Sequence, residues 1–174
     1  MIFDITIKLM EVKGMYYEDL SLYSYRVNTN ETSYNIGWLG RDYSNGKYPA
    51  YSKGEVSEQF VDKLWKYLKY PVNIYRGMHY CELCTNEANI LKYKGEKRIV
   101  GYYEMRVFSK TGKVYAAPSM ILHYIKEHNY KPPKEFIDAV MEGDASSKEY
   151  IDKLLEYKKD YYINLRLGEQ GILQ

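Results

Sequence analysis

The sequence predicts an α+β fold, a small antiparallel sheet with helices after it, held together by a zinc-binding C-x-x-C knuckle. Three observations predict this. Apolar residues alternate near the amino terminus and on both sides of the turn Ser109-Lys110-Thr111-Gly112. From Pro118 onward they recur at the three-to-four spacing of helices. Between the two halves stand the chain's two cysteines, Cys81 and Cys84, and all three histidines, His79, His123 and His128, lie close by or in the following helix.

From Ile2 to Val12, Phe3, Ile5, Ile7 and Leu9 fall on one face and Asp4, Thr6 and Lys8 on the other, the period of a half-buried strand. Residues 33–39 read as a second short strand, and the Ser, Asn, Gly, Asp and Pro content of 40–54 reads as a long loop. Ser57 caps an amphipathic helix carrying Phe60, Val61, Leu64, Trp65 and Leu68, which stops before Pro71. Val72 and Ile74 suggest a short strand, and Tyr102–Phe108 with Lys113–Ala116 form a hairpin. Pro118 suits the first residue of a helix presenting Met120, Ile121, Tyr124, Ile125 and His128. Asn129 and Pro132-Pro133 end it and open the next, which carries Phe136, Ile137, Val140 and Met141 before Gly143. Ser146 with Glu149 reads as a capping box for a last helix on Ile151, Leu154 and Leu155, and the tail as an edge strand with a frayed end. Trp38, Trp65 and Phe136 are assigned to core packing.

This divides the chain into an extension strand at 1–14, a zinc-binding core at 15–143, and a C-terminal helix and tail at 144–174 packed on the core. No internal repeat and no low-complexity segment interrupts it.

Composition narrows the class. Hydrophobic residues at 45% and charged residues at 28% are a globular mixture, which argues against wholesale disorder. No apolar run approaches the length of a membrane span. The start of the chain has neither a basic segment nor a small-residue cleavage site, so the expected compartment is the cytoplasm. A formal charge of +2 does not announce nucleic acid. The 22 tyrosines fit either AT-rich coding sequence, in which Lys, Asn and Ile rise with Tyr, or a contact surface of wet-edged rings.

The sharpest chemical signal is His79-Tyr80-Cys81-Glu82-Leu83-Cys84. Two cysteines separated by two residues converge their sulfurs across one tight turn, as tetrahedral zinc requires. With His123 and His128 they give the C-x2-C and H-x4-H spacings of Cys2His2 sites, although 38 residues intervene between Cys84 and His123. Five candidates therefore compete for four positions. Cys81, Cys84 and His123 lead, and His79 and His128 contend for the last place. On an ideal helix His123 and His128 point about 140° apart. They share a metal only if the helix loosens at its end, which Asn129 permits.

Other chemistries of the same residues are weaker. A redox C-x-x-C pair opens a helix, whereas Thr85-Asn86-Glu87 reads as loop. Thr85 in place of histidine excludes c-type haem attachment, and the H-x-E and P-C-x-x-C parts of a zinc deaminase are missing. Four protein ligands make a closed, structural site. Three would leave an open position, with Glu82 or Glu104 as general base.

Several blocks occur in order: Tyr17-x-Asp19-Leu20-Ser21-x-Tyr23, Asn35-Ile36-Gly37-Trp38-Leu39, Arg76-Gly77-x-His79-x-Cys81-x-x-Cys84 and Glu104-Met105-Arg106-Val107. The last is Tyr115-x-Ala117-Pro118-x-Met120-Ile121-x-His123-Tyr124-Ile125-x-x-His128-x-Tyr130-x-Pro132-Pro133. Together they resemble an uncharacterised bacterial family of small cytoplasmic proteins catalogued as a domain of unknown function, over roughly Tyr16 to Glu142. The resemblance implies that the cysteine and histidine blocks belong to one unit. It implies no activity.

The leading functional expectation is a small zinc-stabilised module that binds a protein partner, such as an immunity or accessory protein, because no nucleophile–base motif or P-loop is present. The alternative is a metal-dependent hydrolase with an open zinc position. Nucleic-acid binding is a third reading, drawn from Lys92-Tyr93-Lys94 and Lys97-Arg98 beside Tyr102-Tyr103, although solvated strand edges give the same pattern.

Overall fold

The structure, a computed structural model, describes residues 15–25, 32–84 and 89–158. It is α+β. In chain order come β1 (Ser33–Asn35), α1 (Glu58–Tyr67), β2 (Ile90–Tyr93), β3 (Glu96–Ile99), β4 (Glu104–Phe108), β5 (Val114–Pro118), α2 (Ile121–His128) and α3 (Lys134–Glu142). A further helix, α4, runs over 148–158. The strand expected over Ile2–Val12 and the expected tail strand lie outside the described residues.

The sheet has the order β1-β5-β4. The predicted hairpin is β4 with β5, antiparallel from Glu104↔Pro118 to Phe108↔Val114. Its turn is closed by Ser109 N–H donating to the Lys113 carbonyl, and Gly112 supplies the positive φ of 85°. On the other side of β5, β1 joins in parallel, Ser33↔Val114 to Asn35↔Ala116. A second sheet is the antiparallel β2–β3 hairpin. In the sequence its residues present only a basic and aromatic run. Lys94 and Gly95, both at positive φ, make its two-residue turn.

Some expected elements are shorter or shifted. Residues 33–39 yield only the three-residue β1, because Gly37 at φ 68° turns the chain. Trp38 is held instead by its indole N–H on the Ala116 carbonyl, at 3.1 Å. Val72 makes a single antiparallel bridge to Glu104 before Asn73, at φ 49°, turns away. Pro118 does not start a helix. It closes β5 opposite Glu104, and α2 begins three residues later behind Met120, with no side-chain cap. The cap of the last helix is Ser147 and not Ser146: its Oγ accepts from Tyr150 N–H at 3.1 Å.

Helix α1 keeps the predicted boundaries, with Ser57 Oγ accepting from Phe60 N–H. Its inner face, Phe60, Leu64, Trp65, Tyr67 and Leu68, meets Phe136, Ala139 and Val140 of α3, Met105 and Val107 of β4, and Ile121, Leu122 and Ile125 of α2. From α4, Tyr150, Leu154 and Tyr157 join the same core. Burial of these apolar side chains drives the collapse, each large one contributing about 1.5–3 kcal/mol.

A charged pair crosses this core. Glu104 and Arg106, both fully buried, make an ion pair of 2.7 Å. Tyr23 OH and Asn73 Nδ2 donate to the other Glu104 oxygen, at 3.0 and 3.3 Å. Arg106 Nε donates to Tyr157 OH at 2.9 Å, and the guanidinium lies between the rings of Tyr23 and Tyr157. Each half of such a pair depends on the other, because a lone charge in the interior is costly.

Candidate metal centre

The loop carrying the cysteines has no regular structure of its own and is pinned to the connection between β3 and β4. Tyr75 N–H donates to the Tyr102 carbonyl and His79 N–H to the Gly101 carbonyl, both at 2.7 Å. Asn89 Nδ2 donates to the His79 carbonyl at 2.7 Å. The approach is close enough to require glycine. Gly101 has φ 93°, and a Cβ there would lie 2.3 Å from the His79 carbonyl oxygen and 2.4 Å from Asn89 Nδ2. Neither Gly101 nor Asn89 was singled out from the sequence. A glycine directly after an apolar strand end was the available signal.

Pinned in this way, the loop turns tightly at Cys81-Glu82-Leu83-Cys84. The backbone amides of Leu83 and Cys84 donate toward the Cys81 sulfur. That arrangement suits a negatively charged thiolate, because amide dipoles offset its charge.

Helix α2 brings the imidazoles from the other side. Its carboxyl end departs from α geometry: Asn129, in the left-handed region at φ 53°, donates its N–H to the Tyr124 carbonyl five residues back. Tyr130 N–H donates to the same carbonyl at 3.1 Å. A five-residue closure widens the last turn and swings residue 128 toward the direction of residue 123. The two rings consequently face each other, with centroids 5.2 Å apart. Tyr51 OH, donating to the His128 carbonyl at 3.2 Å, ties the long 40–54 loop to this helix end.

Cys81, Cys84, His123 and His128 thus converge, their ligand atoms all within 4.8 Å of one another. Cys81 Sγ lies 3.2 Å from His128 Nε2, and Cys84 Sγ lies 3.5 Å from His123 Nε2. The donor set fits a tetrahedral ion. Sulfur at about 2.3 Å and nitrogen at about 2.0 Å from zinc, at the tetrahedral angle, stand about 3.5 Å apart. A Cys2His2 group placed this close together can hold a metal ion.

Burial shifts the protonation of Cys81, His123 and His128. It pushes the Cys81 thiol up to about 11, against the pull of the Leu83 and Cys84 amides. Burial also pulls His123 and His128 below the usual imidazole value. Neighbouring His128 adds to the effect at His123 and Lys53 at His128, while Glu127 opposes it at both. Neutral rings offer the lone pairs that a metal needs, and the thiol proton is the one a metal must displace.

The remaining candidates from the sequence lie elsewhere. His79 falls outside the converging group and rests edge-on to Tyr75. Glu82 points to the rim, where it accepts from Arg41 N–H at 3.0 Å. Glu104 belongs to the buried pair with Arg106. Beside the centre is a small cleft of about 40 Å³, with Trp38, Tyr75, Tyr103 and Tyr124 in its wall.

Among the described residues no helix is long and apolar enough to cross a membrane. Comparison with curated proteins and with solved structures finds no match. The family described as Domain of unknown function (DUF7919) matches residues 15–141. That stretch contains the hairpin, the cysteine turn and both converging histidines, and the chain belongs to this family.

Proposed function

We propose that this chain is a small cytoplasmic, protein-binding module stabilised by one structural Zn²⁺, with Cys81, Cys84, His123 and His128 as ligands. The observation that carries the metal reading is the convergence of two sulfurs and two Nε2 atoms from separate parts of the chain. Zinc is preferred over other divalent ions because a mixed thiolate and imidazole set of four, arranged tetrahedrally, matches its coordination. Bound there, the ion supplies a cross-link between the loop pinned at Gly101 and the end of α2. Four protein donors complete the shell and leave no place for a substrate or an activated water, which favours a stabilising role over the hydrolase alternative.

The cytoplasmic assignment rests on the cysteines, which are free thiols and serve the site only where they stay reduced. The binding role rests on a surface with exposed Leu22, Ile74, Tyr80, Ile90 and Ile99. Metal analysis of the purified chain tests the first part: one zinc per chain is expected, lost in Cys84→Ser and kept in His79→Ala. Crosslinking in the native host with the zinc-loaded chain tests the second, and a chain that never acquires a stoichiometric partner overturns it.

A further inference from the structure

The β2–β3 hairpin has two unlike faces. Register and alternation put Leu91, Tyr93, Glu96 and Arg98 on one and Ile90, Lys92, Lys97 and Ile99 on the other. The first face is occupied within the fold. Trp65 donates to Glu96 at 2.8 Å, the Arg98 guanidinium stacks 4.6 Å from the Trp65 ring, and Tyr93 OH donates to Asp62 at 2.8 Å. The second faces solvent, with Ile90 and Ile99 51% and 54% exposed.

The ladder brings like side chains together on that open face. Val100 N–H donates to the Asn89 carbonyl, so the Ile90–Ile99 and Lys92–Lys97 pairs fall at the non-hydrogen-bonded positions, where side chains are closest. Two ammonium groups directly opposite each other are unfavourable. Lys126 of α2 lies toward the other face, its Nζ 3.4 Å from the Lys92 carbonyl and 5.5 Å from the centre of the Tyr93 ring. The nearby carboxylates are engaged elsewhere: Glu96 by Trp65 and Arg98, and Glu58 and Asp62 by Lys94. Among the described residues Lys92 and Lys97 have no ion pair, and no strand pairs with the outer edge of β3.

We propose that this face and the β3 edge bind an extended acidic segment of a protein partner. Its carboxylates meet Lys92 and Lys97, its apolar side chains cover Ile90 and Ile99, and its backbone continues the sheet. Charge complementarity selects an acidic occupant. The isoleucine pair selects a peptide over a nucleic acid, because a phosphate backbone gives those side chains no apolar cover. A lysine that only guards a strand edge accounts neither for the opposed pair nor for the isoleucines beside it. The inference rests on the protein-binding reading above and is independent of the metal.

The test uses the zinc-loaded chain of 174 residues and fluorescence anisotropy. The probes are a labelled alternating Glu–Val peptide of about ten residues, its Lys–Val counterpart, and an oligo-dT of about twenty nucleotides. Saturable binding of the Glu–Val peptide alone is expected. It weakens at high salt and falls about tenfold or more in K92E/K97E, which gains the Lys–Val peptide instead. K92Q/K97Q serves if the charge reversal does not fold, and it loses the acidic peptide without gaining the basic one. No saturable binding, equal binding by the variants, or tighter binding of oligo-dT overturns the proposal. Zinc is quantified in the same samples. A chain with full zinc that fails to bind removes this surface alone, whereas a zinc-free folded chain that binds removes the metal reading and keeps the surface.

Discussion

His123 and His128 bring their rings to 5.2 Å although an ideal helix would turn them well away from each other. The widened turn at Asn129 makes this possible, and the metal reading depends on it. A ligand held about a thousandfold above its dissociation constant adds about 4 kcal/mol to a fold. Chelation, Cys84→Ser or His128→Ala is therefore expected to lower Tm by roughly 8–16 °C in a chain of this size. His79→Ala is expected to leave both zinc content and Tm close to wild type. Calorimetry with and without chelator, alongside metal quantification, checks both.

The metal-free chain is expected to lose stability on both sides of neutrality. Burial holds His79, His123 and His128 below their ordinary values, so the unfolded chain binds more protons, and stability falls as pH drops below about 6.5. At the other end the unfolded thiol ionises near pH 8.5, roughly, while the fold keeps the Cys81 proton up to about 11, so stability falls again as pH rises across that interval. Zinc loading should abolish the alkaline limb, because the bound sulfur has already lost its proton. Urea midpoints measured from pH 5 to 10, roughly, with and without metal, decide this.

Gly101→Ala should be costly at a position that carries no side chain at all. The added Cβ collides with the His79 carbonyl and the Asn89 amide, and φ 93° is unfavourable for alanine. A loss of about 2 kcal/mol or more is expected. Zinc affinity should fall with it, since the displaced segment carries Cys81. Unchanged zinc binding in a destabilised variant would show that the pinning serves the fold and not the site.

Glu104 and Arg106 form a unit whose halves are not separable. Arg106→Leu or Glu104→Leu leaves one buried charge uncompensated and should cost about 3–5 kcal/mol. The double replacement should cost less than the sum of the two. Chemical denaturation in a double-mutant cycle measures the difference, and simple additivity would contradict the coupling.

Local signals in the sequence identified the elements wherever one residue decides the outcome. Ser57 caps α1, the apolar spacing from Phe60 to Leu68 buries its face, and Ser109 to Gly112 close the main hairpin. The signals failed where tertiary partners choose between near-equivalents. Ser146 and Ser147 offer the same hydroxyl, and packing of Tyr150 and Leu154 selects the second. Pro118 suits a first helical turn as well as a strand end, and pairing with Glu104 decides for the strand. Parallel joining of β1 to β5 leaves no local trace. At the metal centre the cysteine turn was legible from spacing. The choice between His79 and His128 was not, because it depends on a five-residue hydrogen bond at Asn129 and on where Gly101 lodges the preceding loop.

The helix over 148–158 has a practical consequence for anyone trimming this protein to its family match, which ends at residue 141. Tyr150 OH donates to the Arg106 carbonyl at 3.0 Å, and Tyr157 OH receives the guanidinium. A fragment cut at that boundary would open the floor beneath an interior cation and admit water to the least hydrated part of the molecule. Expression clones that run through at least Tyr157 are therefore expected to fold better than ones cut at the match.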